Sequence, residues 1–141
     1  MLADRFTTEI SSDVADQLVT AARTSLGDTL RSVVYFTPSA FDVLYVRTDL
    51  YETPEAAREA KAQLVDMESV GFAEAPLRDA VSGDERATIG PYEFTVRFHD
   101  DGFVTRFIHG DVGVLLTTDS MDVRAFEEAV TSIETILAEK E

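Results

Sequence analysis

The chain has 141 residues, 45% of them apolar and 9% aromatic, with 27 acids against 12 bases and a formal charge of -15. Apolar content at this level supports one hydrophobic core and separates the sequence from acidic disordered tails, which cannot offset their ordering entropy. The charge repels nucleic-acid phosphates and anionic lipid head groups, so neither nucleic acid nor a membrane surface is expected as a partner. The absence of cysteine removes disulfides, thiolate catalysis and Cys-ligated zinc.

Of the bases, only Lys61 and Lys140 are lysine; the other ten are arginine. Near-elimination of lysine in an acidic background points to a salt-rich cytoplasm, where a Debye length of about 3 Å at molar salt screens the self-repulsion of the surface. Met1-Leu2-Ala3-Asp4-Arg5 has no signal-peptide pattern and no segment approaches the roughly 18 apolar residues of a membrane span, so a cytoplasmic location is expected.

In chain order, Ser11 or Ser12 can cap a helix in which Val14, Leu18, Ala22 and Leu26 recur at spacings of four, with Gly27 as its stop. Residues 30–36 and 41–47 are β-branched and aromatic and flank Thr37-Pro38-Ser39-Ala40, which predicts a hairpin with apolar residues on both faces. Thr53-Pro54-Glu55 starts a second helix running to about Glu68 and ending before Gly71. Its apolar stripe of Ala57, Ala60, Leu64 and Val65 is weak, and Arg58 and Lys61 are assigned with the acids to the opposite face. Such a helix lies lightly on the domain or meets a partner. Residues 72–86 carry a poor signal: Pro76 to Val81 can form a short helix, broken by Ser82-Gly83-Asp84.

Residues 92–99, 103–109 and 112–118 predict a three-stranded meander with Asp101-Gly102 and Gly110-Asp111 as tight turns. That turn choice sets Phe94 opposite His109, Val96 opposite Phe107 and Phe98 opposite Thr105, with Val114 beside Phe107 and Leu116 beside Thr105. One face is then an apolar layer, and the other collects Thr95, Arg97, His99, Arg106 and Ile108. A last helix, capped by Ser120 or Asp122, repeats Val123, Phe126, Val130, Ile133 and Leu137 and should cover the apolar layer.

The reading is α+β in the order α-β-β-α-β-β-β-α: a five-stranded, mostly antiparallel sheet with helices on its faces, a single domain over 1–141 with an ordered core of about 12–138. This order resembles the roadblock, longin and profilin-like superfold. Leu30-Arg31-Ser32-Val33-Val34-Tyr35-Phe36 and Glu93-Phe94-Thr95-Val96-Arg97-Phe98 are also similar to stretches of small haloarchaeal proteins of unknown function. The roadblock resemblance implies a non-catalytic homodimer that scaffolds or regulates partners, often small GTPases.

The chemistry-bearing residues support no enzyme. His99 and His109 alternate onto opposite faces of the meander and cannot converge on one ion. Asp100-Asp101-Gly102 and Gly110-Asp111 lack the spaced oxygens of a calcium loop. Glu127-Glu128 and Glu55-Glu59 are helix-face acids, and no Gly-x-Ser-x-Gly elbow or phosphate-cradling glycine loop is present. No catalytic residue, metal site or cofactor is therefore expected. Arg97 and Arg106 are the exception: the assumed pairing sets two guanidiniums directly opposite each other, which needs acids of the second helix, acids of a partner subunit, or a bound anion over them. They are the candidate anion or interface site. The expected function is a non-enzymatic interaction or regulatory module, a homodimer that also engages another protein; the alternative is a sensor of a small anionic ligand.

Overall fold

The computed structural model describes residues 6–140. The first helix, α1 (Ser12–Leu26), is capped by the Ser11 hydroxyl, which accepts from the Val14 N–H at 3.2 Å, and it buries Ala15, Leu18, Ala22 and Leu26. A short 3₁₀ turn leads into β1 (Leu30–Phe36) and β2 (Phe41–Val46). Helix α2 (Pro54–Glu68) begins at Thr53, whose hydroxyl accepts from Ala56 N–H at 3.0 Å, with Pro54 at the first helical position. Helix α3 (Val70–Ser82) follows almost at once, and β3 (Thr95–His99), β4 (Gly102–His109), β5 (Val112–Thr118) and α4 (Val123–Glu139) complete the order.

The five strands form one sheet, ordered β2-β1-β5-β4-β3, in which every neighbouring pair is antiparallel. The connection from β2 through α2 and α3 crosses to β3 at the far edge, and the meander returns β5 to pair with β1, so β2 and β3 are the two edges. Helices α1 and α4 cover one face, closing a core of Leu18, Ala22, Val33, Tyr35, Phe107, Val114, Leu116, Phe126 and Ile133. Helices α2 and α3 lie on the other face, over Val34, Phe36, Val104 and Leu115, with Val65, Leu64 and Phe72 as their apolar contribution. Cover on both sides is what the two-sided apolar pattern of β1 requires.

Several sequence expectations need correction. The β3–β4 turn is Asp100-Asp101, not Asp101-Gly102, because His99 pairs with Gly102. Gly102 is a strand residue whose hydrogen side faces β5: a Cβ there would sit 2.7 Å from the Thr118 carbonyl oxygen. The shift moves each partner by two positions, so faces are preserved while neighbours change: Arg106 lies opposite Thr95, and Arg97 opposite Val104. The β4–β5 register of Phe107 with Val114 and Thr105 with Leu116 is as expected. Phe98, expected in the apolar layer, is 71% exposed because β3 is an edge strand that no helix reaches at that end. Val123 is likewise exposed, and the buried stripe of α4 starts at Phe126. Residues 70–82 form one helix, longer than the short segment expected at Pro76, and Gly71 stands inside it rather than stopping α2. The junction between α2 and α3 is Ser69, whose hydroxyl and N–H both bond the Val65 carbonyl.

Candidate functional site

Helix α2 meets the sheet through Ala57, Lys61, Val65 and Glu68, at spacings of four, four and three. Two of those four are charged, which is why the helix looks weakly amphipathic in sequence: its inward stripe is a charged side chain at the middle and another at the end. Lys61 is therefore not on the solvent face with Arg58 but 4% exposed against the sheet. The apolar centre of this face divides the polar residues into two groups, one under each of these charges.

At the α2–α3 junction, Glu68 is fully buried and accepts from both arginines of the meander: Arg97 Nε at 2.6 Å and Arg106 Nη1 at 3.2 Å. Arg106, 2% exposed, also donates from Nη2 to Glu74 of α3 at 2.9 Å and to Thr95 Oγ1 at 3.1 Å. Desolvation works to lower its pKa, but hydrogen bonds and the charges of Tyr92 and Glu74 more than offset that and leave it raised. Gly71 permits the close approach of α3, since a Cβ there would lie 2.8 Å from Arg106 Cζ and 2.4 Å from Ile108 Cδ1. The structure thus brings Arg97 and Arg106 onto one face, diagonal rather than opposed, with acids of α2 and α3 over them. No open side of Arg106 faces solvent.

Under the other charge lies a cavity of about 260 Å³, whose lining includes Lys61, Arg31, Tyr51, His99, Asp100 and Thr117. Lys61 Nζ sits 5.6 Å from the Tyr51 ring centroid and has no ion-pair or hydrogen-bond partner among the described residues. Burial, with the Arg31 charge adding to it, pushes the ammonium down to about 8. Arg31 itself gives only Nη1, to Asp119 at 2.9 Å. Thr117, in the lining, shares a hydroxyl–hydroxyl bond with the buried Ser32.

A larger groove of about 560 Å³ follows β2 between α1 and α2. Its arginines are already committed. Arg58 stacks 3.9 Å over Phe41 and donates to the Phe41 carbonyl, while Arg47 is bound by Asp49 and Asp119. Asp42, buried in β2, accepts four bonds from the N–H and hydroxyl groups of Thr7 and Thr8 and so fixes the entering segment across the strand. Although desolvation opposes it, those bonds hold the Asp42 carboxyl below its ordinary pKa. His99 and His109 do lie on opposite faces, at the two ends of the meander turns. Among the described residues no cluster of three or more His, Asp or Glu could hold a metal ion, and no helix is long and apolar enough to cross a membrane.

Sequence reasoning singled out Arg97 and Arg106 but missed Glu68, Asp42 and Lys61. Glu68 and Lys61 fall seven residues apart, two turns on one helix face, and that spacing was the available signal. Asp42, between Phe41 and Val43 in a β-rich run, is an acid where the pattern predicts a strand.

Residues 16–138 match the family described as domain of unknown function (DUF7522), and the chain belongs to that family. No curated protein is a sequence match. Among solved structures, the fold is similar to that of the gliding protein MglB from Thermus thermophilus, with a TM-score of 0.57, 13% identity, and 92% of this chain and 95% of that chain covered. The α+β, roadblock-like architecture is shared between them.

Proposed function

We propose that this member of the family is a regulatory interaction module without chemistry of its own, that it self-associates as a homodimer through the α3–β3 edge, and that it works in a salt-rich cytoplasm. The observation that carries the reading is a concentration of exposed apolar side chains on that edge. Leu77 and Val81 of α3 and Ile89 line one trough of about 390 Å³ with Pro91 and Tyr92. Leu77 is 71% exposed and Ile89 81%, and Met67 and Val70 extend the strip towards the α2–α3 junction. A contiguous apolar patch on a chain of net charge -15 is costly to leave in water and marks a contact surface.

The neighbouring β3 is an edge strand of five residues whose outer backbone groups have no ladder partner among the described residues. Pairing of β3 with its copy about a two-fold axis would bring both α3 helices together and continue the sheet across the dimer. Arg97 and Arg106 serve this interface from behind: through Glu68 and Glu74 they fix the α2–α3 junction that presents the strip, with Arg97 at its rim. The match to MglB supports the scaffold, and the regulatory reading is supported by the roadblock-type architecture together with Arg97 and Arg106 being tied into ion pairs by Glu68 and Glu74 rather than open to a substrate.

Light scattering on a sizing column at high KCl tests the proposal. The wild type should elute with twice the protomer mass, and Leu77→Glu combined with Ile89→Glu should elute as a monomer with an unchanged circular-dichroism spectrum. A monomeric wild type, or a double variant that remains dimeric, rejects this interface.

A further inference from the structure

We propose that the cavity between Lys61 and Arg31 is a binding site for one small oxyanion, a phosphate or carboxylate group, held by the Lys61 ammonium and the uncommitted nitrogens of the Arg31 guanidinium. The site is separate from the α3–β3 edge and does not rest on the dimer reading.

Three observations carry it. The first is the missing partner. Among the described residues no acid lies within ion-pair distance of Lys61, although Lys61 is 4% exposed and the buried Arg106 is matched by Glu68 and Glu74. Lysine is almost never buried unless paired, because an ammonium largely withdrawn from water without a counter-charge is costly, and the Lys61 amine keeps its remaining solvent contact beside this cavity. The second is a like-charge neighbour. Arg31 acts on Lys61 as a repelling charge, and the one acid bound to Arg31, Asp119, is shared with Arg47. Two cations converging on one space are unfavourable unless an anion completes them.

The third is the space itself. The cavity of about 260 Å³ is lined by both cations, by Tyr51 and Thr117, and by His99 from the β3 edge. It falls just under the roughly 300–1,000 Å³ of drug-sized ligand sites, which suits a small anion rather than a nucleotide. Arg31 runs beside Gly102, its Cδ 3.6 Å from where a Cβ would stand, and is held from its outer end by Asp119. Lys61 supplies three rotatable donors and Arg31 a planar pair, a complementary set for an oxyanion. Asp100 and Asp101, from the β3–β4 turn, line the mouth. At molar salt their repulsion of an entering anion is screened, as is the long-range pull of the two cations, so the short-range contacts to Lys61 and Arg31 must hold the anion.

The chain's two lysines make a direct test. In the intact protein, lysine labelled with carbon-13 at Cε gives two side-chain signals, and Lys140, close to the chain end, is the internal control. Inorganic phosphate, and separately acetate, replace chloride at constant ionic strength. Bound anion should move the Lys61 signal, leave Lys140 in place and raise the Lys61 pKa by about one unit, a tenfold gain in proton affinity. It should also raise the melting temperature by mass action on the folded state. Lys61→Met should abolish that rise. A response to phosphate alone assigns a phosphate ligand, and a response to acetate assigns a carboxylate. The proposal is overturned if neither moves Lys61. It is equally overturned if Asp100→Asn with Asp101→Asn lowers the Lys61 pKa in the anion-free protein while phosphate has no effect, because the turn acids would then be the counter-charge.

Discussion

Glu68 illustrates how a single carboxylate can hold two arginines that the strand pattern brings together. With Arg97 Nε at 2.6 Å and Arg106 Nη1 at 3.2 Å, its removal would leave a buried guanidinium facing only Glu74. Glu68→Ala should therefore cost about 3–5 kcal/mol in urea unfolding, the range for breaking a buried pair from one side. A loss under about 1 kcal/mol would show that water replaces the carboxylate at no cost. Lys61 sets a different signature. Its folded pKa of about 8 lies below the unfolded 10.5, so the unfolded chain binds more protons between those values and stability must rise with pH there. The penalty is fully present below about pH 8 and gone above about 10.5. The groups facing the amine are Arg31, Tyr51, His99, Asp100 and Asp101, and Lys61→Met should flatten the slope of unfolding free energy against pH between 8 and 10. An unaltered slope would place its origin elsewhere. At this scale the sequence was a poor guide: Arg97 and Arg106 share a face by parity alone, but which acids meet them depends on the rotation of α2, and a lysine among acids reads as solvent-facing until the helix is docked.

At the scale of the element, boundaries set by local chemistry were legible and contacts set by close approach were not. The Ser11, Thr53 and Asp122 caps act through side chains bonding backbone within three residues, and Pro54 through its fixed φ and missing N–H, so all can be read off the chain. Gly71 and Gly102 read as punctuation, yet both are packing residues whose missing Cβ admits another element. Taking Gly102 for a turn residue moved every β3–β4 partner by two positions; parity survived, neighbours did not. Gly71→Ala separates the two roles. In a helix, alanine is favoured over glycine by about 1 kcal/mol, so a position governed by propensity would be stabilised. Here the new methyl would meet the Arg106 guanidinium, which four bonds hold in place, so a net destabilisation of about 1–3 kcal/mol is expected from overpacking. Differential scanning calorimetry of the variant decides the sign. On the opposite face, Phe126 is fully buried in the core that α1 and α4 close over the sheet, and Phe126→Ala should cost about 3–5 kcal/mol.

For the whole molecule, order and pattern were enough to reach the five-stranded sheet with helices on both faces, because each strand's two-residue period and each helix's stripe point to the same layers. The response to salt is a property of the same scale and follows from comparing two opposed terms. Screening weakens the ion pairs that link distant segments at the surface, chiefly Arg31–Asp119 and Arg47–Asp119. Exposed pairs of this kind contribute about 0–1 kcal/mol each, so their loss is limited to about 2 kcal/mol. Against that stands the mutual repulsion of the excess acids, 27 against 12 bases, over the surface of one small fold. The Debye length falls from about 10 Å near 0.1 M to about 3 Å at 1 M, shorter than the spacing of most surface carboxylates, so the repulsive sum is nearly removed. The melting temperature should therefore climb steeply from about 0.1 M to about 1 M KCl and more gently beyond, where only the strengthening of apolar burial by salt remains. Sucrose, which strengthens burial without screening, should reproduce the gentle phase and not the steep one. A flat profile through the low-salt range would mean that the acids are spaced or paired well enough to repel little, and the salt-rich origin inferred from the lysine-poor, acidic composition would fall with it.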